Sequence, residues 1–502
     1  MGDDDGSFPA PVYRRTVLAP LFEDARRHFA GPLMRVNYAH AVMLAERGIV
    51  ARADIAAIVA ALRAIEADVD GEAEAAAYTG EVEDFFFDIE RRLTARLGPD
   101  VAGRLHTGRS RNDIDHTIFK MRLKERLAGL LDGLTGLVGT LIDVARANRA
   151  TIVVAYTHGQ PAQPTTFGHY LGALVEVLLR DLDRLALAGR ALDKCSMGAA
   201  AITTTGFDID RARVADLLGF AEVQENAYGC IAACDYITGL YAAMKVLFIN
   251  LGRFVQDLGQ WTGFETGHLR VPYGYVQVSS IMPQKRNPVP VEHLRLICST
   301  AAGHCDTIVD TMHNTPFTDM NDSEGEVQAG GYAAFEAGER ALALLRGLIA
   351  AVRVDEARVR RHIDESCITI TELADSLVRA EDIPFRQAHA VAAGLARRII
   401  DRGERLDTVP FAAFAAIFAA AIGRPPAIGE DDFHRFVSPE HFIAVRERPG
   451  GPGPAALTAS LDGYAAALDD HAAALAAFTG RAADAARRLD TLVDDLIGNP
   501  GV

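Results

Sequence analysis

The stretch IFKMRLKERLAGLLDGLTGLVGTLIDVARANR, residues 118–149, decides the fold class. Met121, Leu127, Leu130, Leu131, Leu134, Leu137 and Leu141 recur at three- and four-residue intervals, and no proline interrupts them. That period is the signature of a helix with an apolar face. Residues 167–194 repeat it through Leu171, Leu174, Val175, Leu178, Leu182 and Leu185, and residues 236–261 do so again. Helices of about 25–30 residues are more than twice the usual length and reach about 40 Å. Their apolar positions wrap more than one narrow stripe, so each must be buried on several sides, as in a bundle.

Composition agrees with an all-α protein. Hydrophobic residues make up 49% and charged residues 24% of the 502, ordinary for a folded enzyme, while aromatics are 7% and Trp261 is the single tryptophan. Strands favour β-branched and aromatic residues, whereas this Ala- and Leu-rich chain favours helices. The formal net charge of −16 repels nucleic acid and anionic membrane, so neither is an expected partner. It also has the wrong sign to attract a dicarboxylate, so a site for one needs local cations. The six cysteines form no CxxC pair. Cys230 and Cys234 lie a helical turn apart in sequence but without histidines at ligand spacing, so reduced thiols and no metal are expected. The opening MGDDDGS lacks the basic and apolar parts of a signal peptide, and no apolar run approaches the roughly 18 residues that span a bilayer. A cytoplasmic location is expected.

Breaks separate the long helices. Residues 156–164, YTHGQPAQP, form a Gly/Pro-interrupted turn, and residues 271–290, VPYGYVQVSSIMPQKRNPVP, form an irregular loop whose length suggests a function. Residues 446–454, RERPGGPGP, precede a final Ala-rich helix over 455–497. Boundaries near 105 and 360 divide the chain into an N-terminal helical domain (1–105), a central helical bundle (106–360) and a C-terminal helical domain (361–502).

Three segments at these breaks carry chemistry. HTGRSRNDIDHT, residues 106–117, is a basic and amide cluster entering a helix that is expected to begin near Asp115 with Asp113 as its cap. Its first-turn N–H groups, with Arg111 and Asn112, are suited to gripping a carboxylate. As structure alone it is an N-cap with solvated arginines. Thr157-His158-Gly159-Gln160 places a histidine at a break rather than on an apolar face, which suits an acid–base group, although a lone loop histidine is more often merely exposed. SSIMPQKRNP, residues 279–288, combines two serines, a lysine and an amide before a helix near Val291. It suggests a serine-centred site with its own cation, against the plainer reading of a solvated polar loop.

In this order and spacing the three segments resemble the signature regions of the fumarase/aspartase superfamily, the third matching its pattern S-S-x-M-P-x-K-x-N. HTGRSRND is similar to the corresponding motif of argininosuccinate lyases. So are IERRLTARLG (89–98), FDIDRARVADLLGF (207–220), LADSLVRAEDIPFRQAH (373–389) and the PGGPGP segment, so the likeness covers roughly residues 20–480. THGQPAQPTTFG and KRNP lean toward adenylosuccinate lyases and carboxymuconate cycloisomerases.

The resemblance implies a three-domain all-α fold with a long central bundle. It implies a homotetramer whose active sites are shared between subunits, and a reaction needing neither cofactor nor metal. Residue by residue, Ser279 would be the base that takes the Cβ proton. His158 would serve the amine side as proton donor or electrostatic stabiliser, and Glu292 would orient it. Lys285 and Asn287 would stabilise an aci-carboxylate, and Ser110, Arg111, Asn112, Thr157 and Ser280 would hold the succinyl carboxylates. The implied activity is a carbon–nitrogen lyase that removes an amine from an N-substituted aspartate and releases fumarate.

The departures from the argininosuccinate lyase pattern fall on the amine half. Phe86 stands where a histidine is expected, Val278 where a glycine is, and DMNDSEGEV (319–327) puts Asp319, Glu324 and Val327 where Tyr, Gln and Lys are expected. Acidic Asp319, Asp322 and Glu324 point to a cationic amine, and the expected substrate is an N-succinyl amine such as ethylenediamine-N,N'-disuccinate. The alternatives are argininosuccinate and, further off, a catalytically silent structural homologue.

Overall fold

The computed structural model describes residues 8–71 and 78–500. Helices α1 (Ala19–Glu46), α2 (Arg52–Gly71) and α3 (Phe85–Leu97) come first, and five long helices build the bundle: α4 (Arg111–Ala147), α5 (Phe167–Leu192), α6 (Asp235–Thr262), α7 (Val289–Thr311) and α8 (Gly325–Ala351). Each of the five packs on the next, and α8 closes the ring on α4. The predicted periodicity is what they bury: Leu127, Leu130, Leu134, Leu137 and Leu141 of α4, and Leu171, Val175, Leu178, Leu182 and Leu185 of α5, are all fully enclosed. By length and hydropathy α4 would also pass as a membrane span, but these leucines face other helices.

Side-chain contacts fix the helix directions. Lys124 near the start of α4 pairs with Asp193 just past the end of α5, so these two are antiparallel. His116 Nδ1 lies 3.1 Å from the Tyr236 hydroxyl at the start of α6, and the Trp261 ring at the end of α6 lies 4.5 Å from Tyr170 at the start of α5. Arg346 near the end of α8 donates to Thr140 near the end of α4 at 3.1 Å, so α8 runs parallel to α4. The bundle therefore has two ends. One gathers residues 107–117, 193–235 and 312–324. The other gathers residues 148–166, 263–288 and 352–453.

The final helix, α9 (Pro454–Gly498), is 45 residues long and runs back along the bundle. It carries an Arg146–Asp462 pair at 2.8 Å near its start and an Arg481–Asp193 pair further on. Leu457, Leu461, Leu489 and Val493 join the main core, while a second core over residues 373–437 is built on Leu377, Phe414 and Phe433.

Where the sequence predicts irregular loops, the structure has small hairpins. β1 (Ile152–Thr157) pairs antiparallel with β2 (Gln160–Thr166), leaving His158 and Gly159 as a two-residue turn. Their φ angles of 53° and 74° are the pair of positive values that a tight hairpin turn requires. β3 (Gln277–Val278) pairs with β4 (Arg286–Asn287) and carries Ser279 to Lys285 at its tip. Cys230 and Cys234 do not share a helix: Cys230 sits inside Ala227–Ala232 and Cys234 caps α6.

Candidate active site

At the α4 N-terminus the helix starts at Arg111, earlier than predicted, with Ser110 as N-cap in extended conformation. Asp113 is not the cap but the third helical residue. Its Oδ1 accepts the Ser110 N–H at 2.9 Å, and its Oδ2 accepts those of Gly198 (2.8 Å) and Ala200 (2.9 Å). Burial pushes its carboxyl up to about 6 against the pull of those N–H groups. It thereby ties the motif to the 196–205 segment. Arg109 is buried beneath, donating to Asn37 Oδ1 at 2.6 Å and lying 6.0 Å from the Phe86 ring centre.

The cation and the amide predicted to grip substrate, Arg111 and Asn112, already have partners within the chain. Arg111 meets Asp84 at 3.0 Å, Glu83 at 3.4 Å and Asp115 at 3.7 Å. Burial works against its charge, but Asp115, Asp84, Glu324 and Glu83 outweigh that and raise its pKa. Asn112 donates to the Ala201 carbonyl at 3.1 Å and to Asp319 Oδ2 at 2.9 Å, while Asp319 Oδ1 is enclosed without a partner. Burial raises the carboxyls of Asp84, Asp115, Asp319 and Glu324. Glu83, Asp84, Arg111, Asp115 and Glu324 line a cavity of about 220 Å³ whose remaining wall is largely apolar, Phe29, Phe85 and Phe119 among it. A larger cavity of about 460 Å³ lies under α9, and no motif residue lines it.

The other two motifs sit at the opposite end. Thr157 and His158 are exposed at the hairpin tip, whose base is anchored by Val154 packing with Val359, Ile363 and Ile368. Ser279 is half-buried, and its Oγ accepts backbone N–H groups from Met282 at 3.1 Å and Ile281 at 3.4 Å. Two donors converging on one hydroxyl oxygen favour its ionised form, which a serine base needs. Arg286 holds the loop base, donating to the Val271 carbonyl at 2.8 Å with its guanidinium 4.1 Å over Tyr273. Ser280, Lys285 and Glu292 are exposed and Asn287 is half-buried; among the described residues no side-chain hydrogen bond joins any of them to His158 within the subunit. Within one chain no hydrogen bond joins Glu292 to the histidine that it was expected to orient.

The chain therefore brings Ser110, Arg111 and Asn112 to one end, and Thr157, His158, Ser279, Ser280, Lys285, Asn287 and Glu292 to the other. α4 alone separates the ends by 37 residues, about 55 Å. Two features of these surroundings escaped the sequence reading. Asp84 reaches Arg111 from a segment 27 residues away, opposite Asp115 one turn along the same helix, and Phe86, in the place of the expected histidine, is a buried wall beside Arg109.

A lyase family model matches residues 23–303, and a model of the argininosuccinate lyase C-terminal region matches residues 367–444. Argininosuccinate lyase 2 of Agrobacterium fabrum is 53% identical over 461 residues, covering 92% of this chain and 91% of that one. Argininosuccinate lyase of Methanothrix thermoacetophila is 34% identical, covering 91% and 92%. Among solved structures, EDDS lyase in complex with formate superimposes with a TM-score of 0.83 at 26% identity, covering 100% of this chain and 98% of that one.

Proposed function

The chain belongs to the fumarase/aspartase superfamily on its argininosuccinate lyase-like branch and is a fumarate-releasing carbon–nitrogen lyase; within that class we propose that it cleaves argininosuccinate to arginine and fumarate. The observation that carries this reading is a relative named argininosuccinate lyase with 53% identity over nine tenths of both chains.

In this reading Ser279, its oxygen held by the Met282 and Ile281 N–H groups, takes the proton from the carbon next to the distal carboxylate of the succinyl half. The electron pair left behind moves onto that carboxylate as an aci-carboxylate, which Lys285 and Asn287 stabilise. Its collapse forms the C=C bond of fumarate and breaks the C–N bond, and the departing nitrogen takes a proton on the side served by His158. Because the motifs lie about 55 Å apart along α4, each site is assembled from different subunits of a homotetramer.

This order of substrates reverses the one that the 319–327 segment predicts. The second reading, a small diamine such as that of ethylenediamine-N,N'-disuccinate, keeps one specific support: Asp319 and Glu324 stand where the related pattern has uncharged side chains, and Val327 where it has a lysine. Direct competition between the two substrates, followed by fumarate absorbance and amine analysis, decides between them. The proposal expects argininosuccinate to lead by about tenfold or more in kcat/KM, about 1.4 kcal/mol in transition-state binding. A lead of that size for the disuccinate reverses the assignment.

A further inference from the structure

Beneath the His158 hairpin lie two histidines that the reaction above does not use. His268 is fully buried. Its Nε2 lies 2.9 Å from His362 Nδ1 and 3.5 Å from the Tyr156 hydroxyl, and its Nδ1 is enclosed with no hydrogen-bond partner. Its ring is packed among those of His362, Tyr156 and Trp261, with centres 5.0, 5.8 and 6.0 Å away. Three chain segments meet here. Tyr156 directly precedes Thr157 and His158. His268 lies three residues before Val271, whose carbonyl holds Arg286 at the base of the Ser279 loop. His362 comes from Glu356–Ser366, the helix that packs on β1, and the His268 carbonyl accepts the Asp355 N–H at 2.8 Å just before that helix.

We propose that His268 and His362 form a positioning pair that holds the Thr157–His158 hairpin in register with the base of the Ser279 loop, and that proton uptake by the pair releases it. The proposal rests on the reading of His158 and Ser279 as reacting groups. Its chemistry follows from the 2.9 Å separation, which has room for one hydrogen between the two nitrogens. With both rings neutral, His268 donates Nε2–H to His362 Nδ1. That tautomer leaves a bare nitrogen, rather than an N–H, without a partner in the enclosed pocket, the lesser of the two costs. A proton added to His362 Nδ1 would set N–H against N–H, unless the His268 proton moved to Nδ1, where no acceptor waits.

The surroundings keep His268 neutral. Burial, then His362 and then Arg358 lower His268 to about 4, and only Asp355 opposes them. The groups that face the pair are Tyr156 on the hairpin, Arg358 and Asp355 at the head of the His362 helix and, beyond Trp261, Tyr170 bonded to Asp257 at 2.8 Å. Both carboxylates are already engaged, Asp355 with the Arg358 N–H at 3.1 Å and Asp257 with Tyr170. Among the described residues no carboxylate is hydrogen-bonded to either imidazole to hold a charged pair together.

The test compares the full-length wild type with His268→Phe, His362→Leu and His362→Gln by kcat, KM, pH profile and amide hydrogen exchange over residues 152–166. Phenylalanine keeps the aromatic packing, and glutamine keeps an acceptor for His268 Nε2–H without titrating. His268→Phe and His362→Leu are expected to lower kcat by about tenfold or more, with KM within about twofold, and to speed exchange in the hairpin. His362→Gln is expected to keep kcat within about twofold of wild type and to move the acid limb of the pH profile to lower pH. Unchanged hairpin exchange in His268→Phe and His362→Leu overturns the proposal, whether or not the protein makes fumarate. So does a glutamine variant as impaired as the leucine one. Absence of fumarate from every N-succinyl amine in the wild type overturns instead the assignment of His158 and Ser279.

Discussion

At the scale of single residues, the account turns on how ordinary side chains acquire unusual protonation. In the proposed reaction the two backbone N–H groups on the Ser279 oxygen, rather than a neighbouring base, favour its ionised form. Ser279→Ala should lower kcat by about 10³-fold or more while leaving oligomer size unchanged on gel filtration; retention of a tenth of the activity would move the base elsewhere. Asp115 shows the opposite effect. Burial and the neighbouring Glu324 raise its folded pKa well above the unfolded value near 3.8, so its neutral form is the one that favours folding. Its contribution to stability is present at low pH and is lost as pH rises through the folded pKa. Asp115→Asn should therefore change Tm more favourably at pH 8 than at pH 4; an equal shift at both would show that the carboxylate is not strained. Little of this was legible in the sequence. The spacing S-S-x-M-P-x-K-x-N marked Ser279 and Lys285, but Arg111 was read as free to grip substrate because Glu83 and Asp84, its partners, lie 27–28 residues away along the chain.

At the scale of elements, legibility follows period and length. The long helices declare themselves because apolar residues at three- and four-residue spacing over 25 or more positions fit no other structure. The hairpins do not. β3 and β4 are two residues each, too short to show alternation, and the His158–Gly159 turn lacks the Asn-Gly signal that usually marks positive φ. Helix contacts were equally hidden, since a close approach depends on what faces a small residue. Gly338 of α8 meets the Phe248 ring of α6, leaving no space for a Cβ. Gly338→Ala should destabilise the bundle by about 1–3 kcal/mol in urea unfolding, with KM little changed because the site lies at the bundle ends. A neutral effect would mean that α6 and α8 are further apart than described.

At the scale of the whole molecule, an up-and-down bundle with motifs at both ends has a simple consequence. A rigid helix of about 55 Å keeps Ser110, Arg111 and Asn112 away from His158 of the same chain, so a site that needs both must borrow one set from another subunit. The sequence implied such sharing only through its resemblance to a family; the opposed ends supply a physical reason for it. The most direct measurement is complementation. Asn112→Leu and His158→Asn subunits, each inactive alone, are co-expressed so that mixed oligomers form, and fumarate release is compared with wild type. If each site takes its first motif from one subunit and its second from another, random mixing leaves about a quarter of sites with both intact and restores activity on that order. Mixed oligomers as inactive as either parent, or a fully active wild-type monomer, would contradict the account.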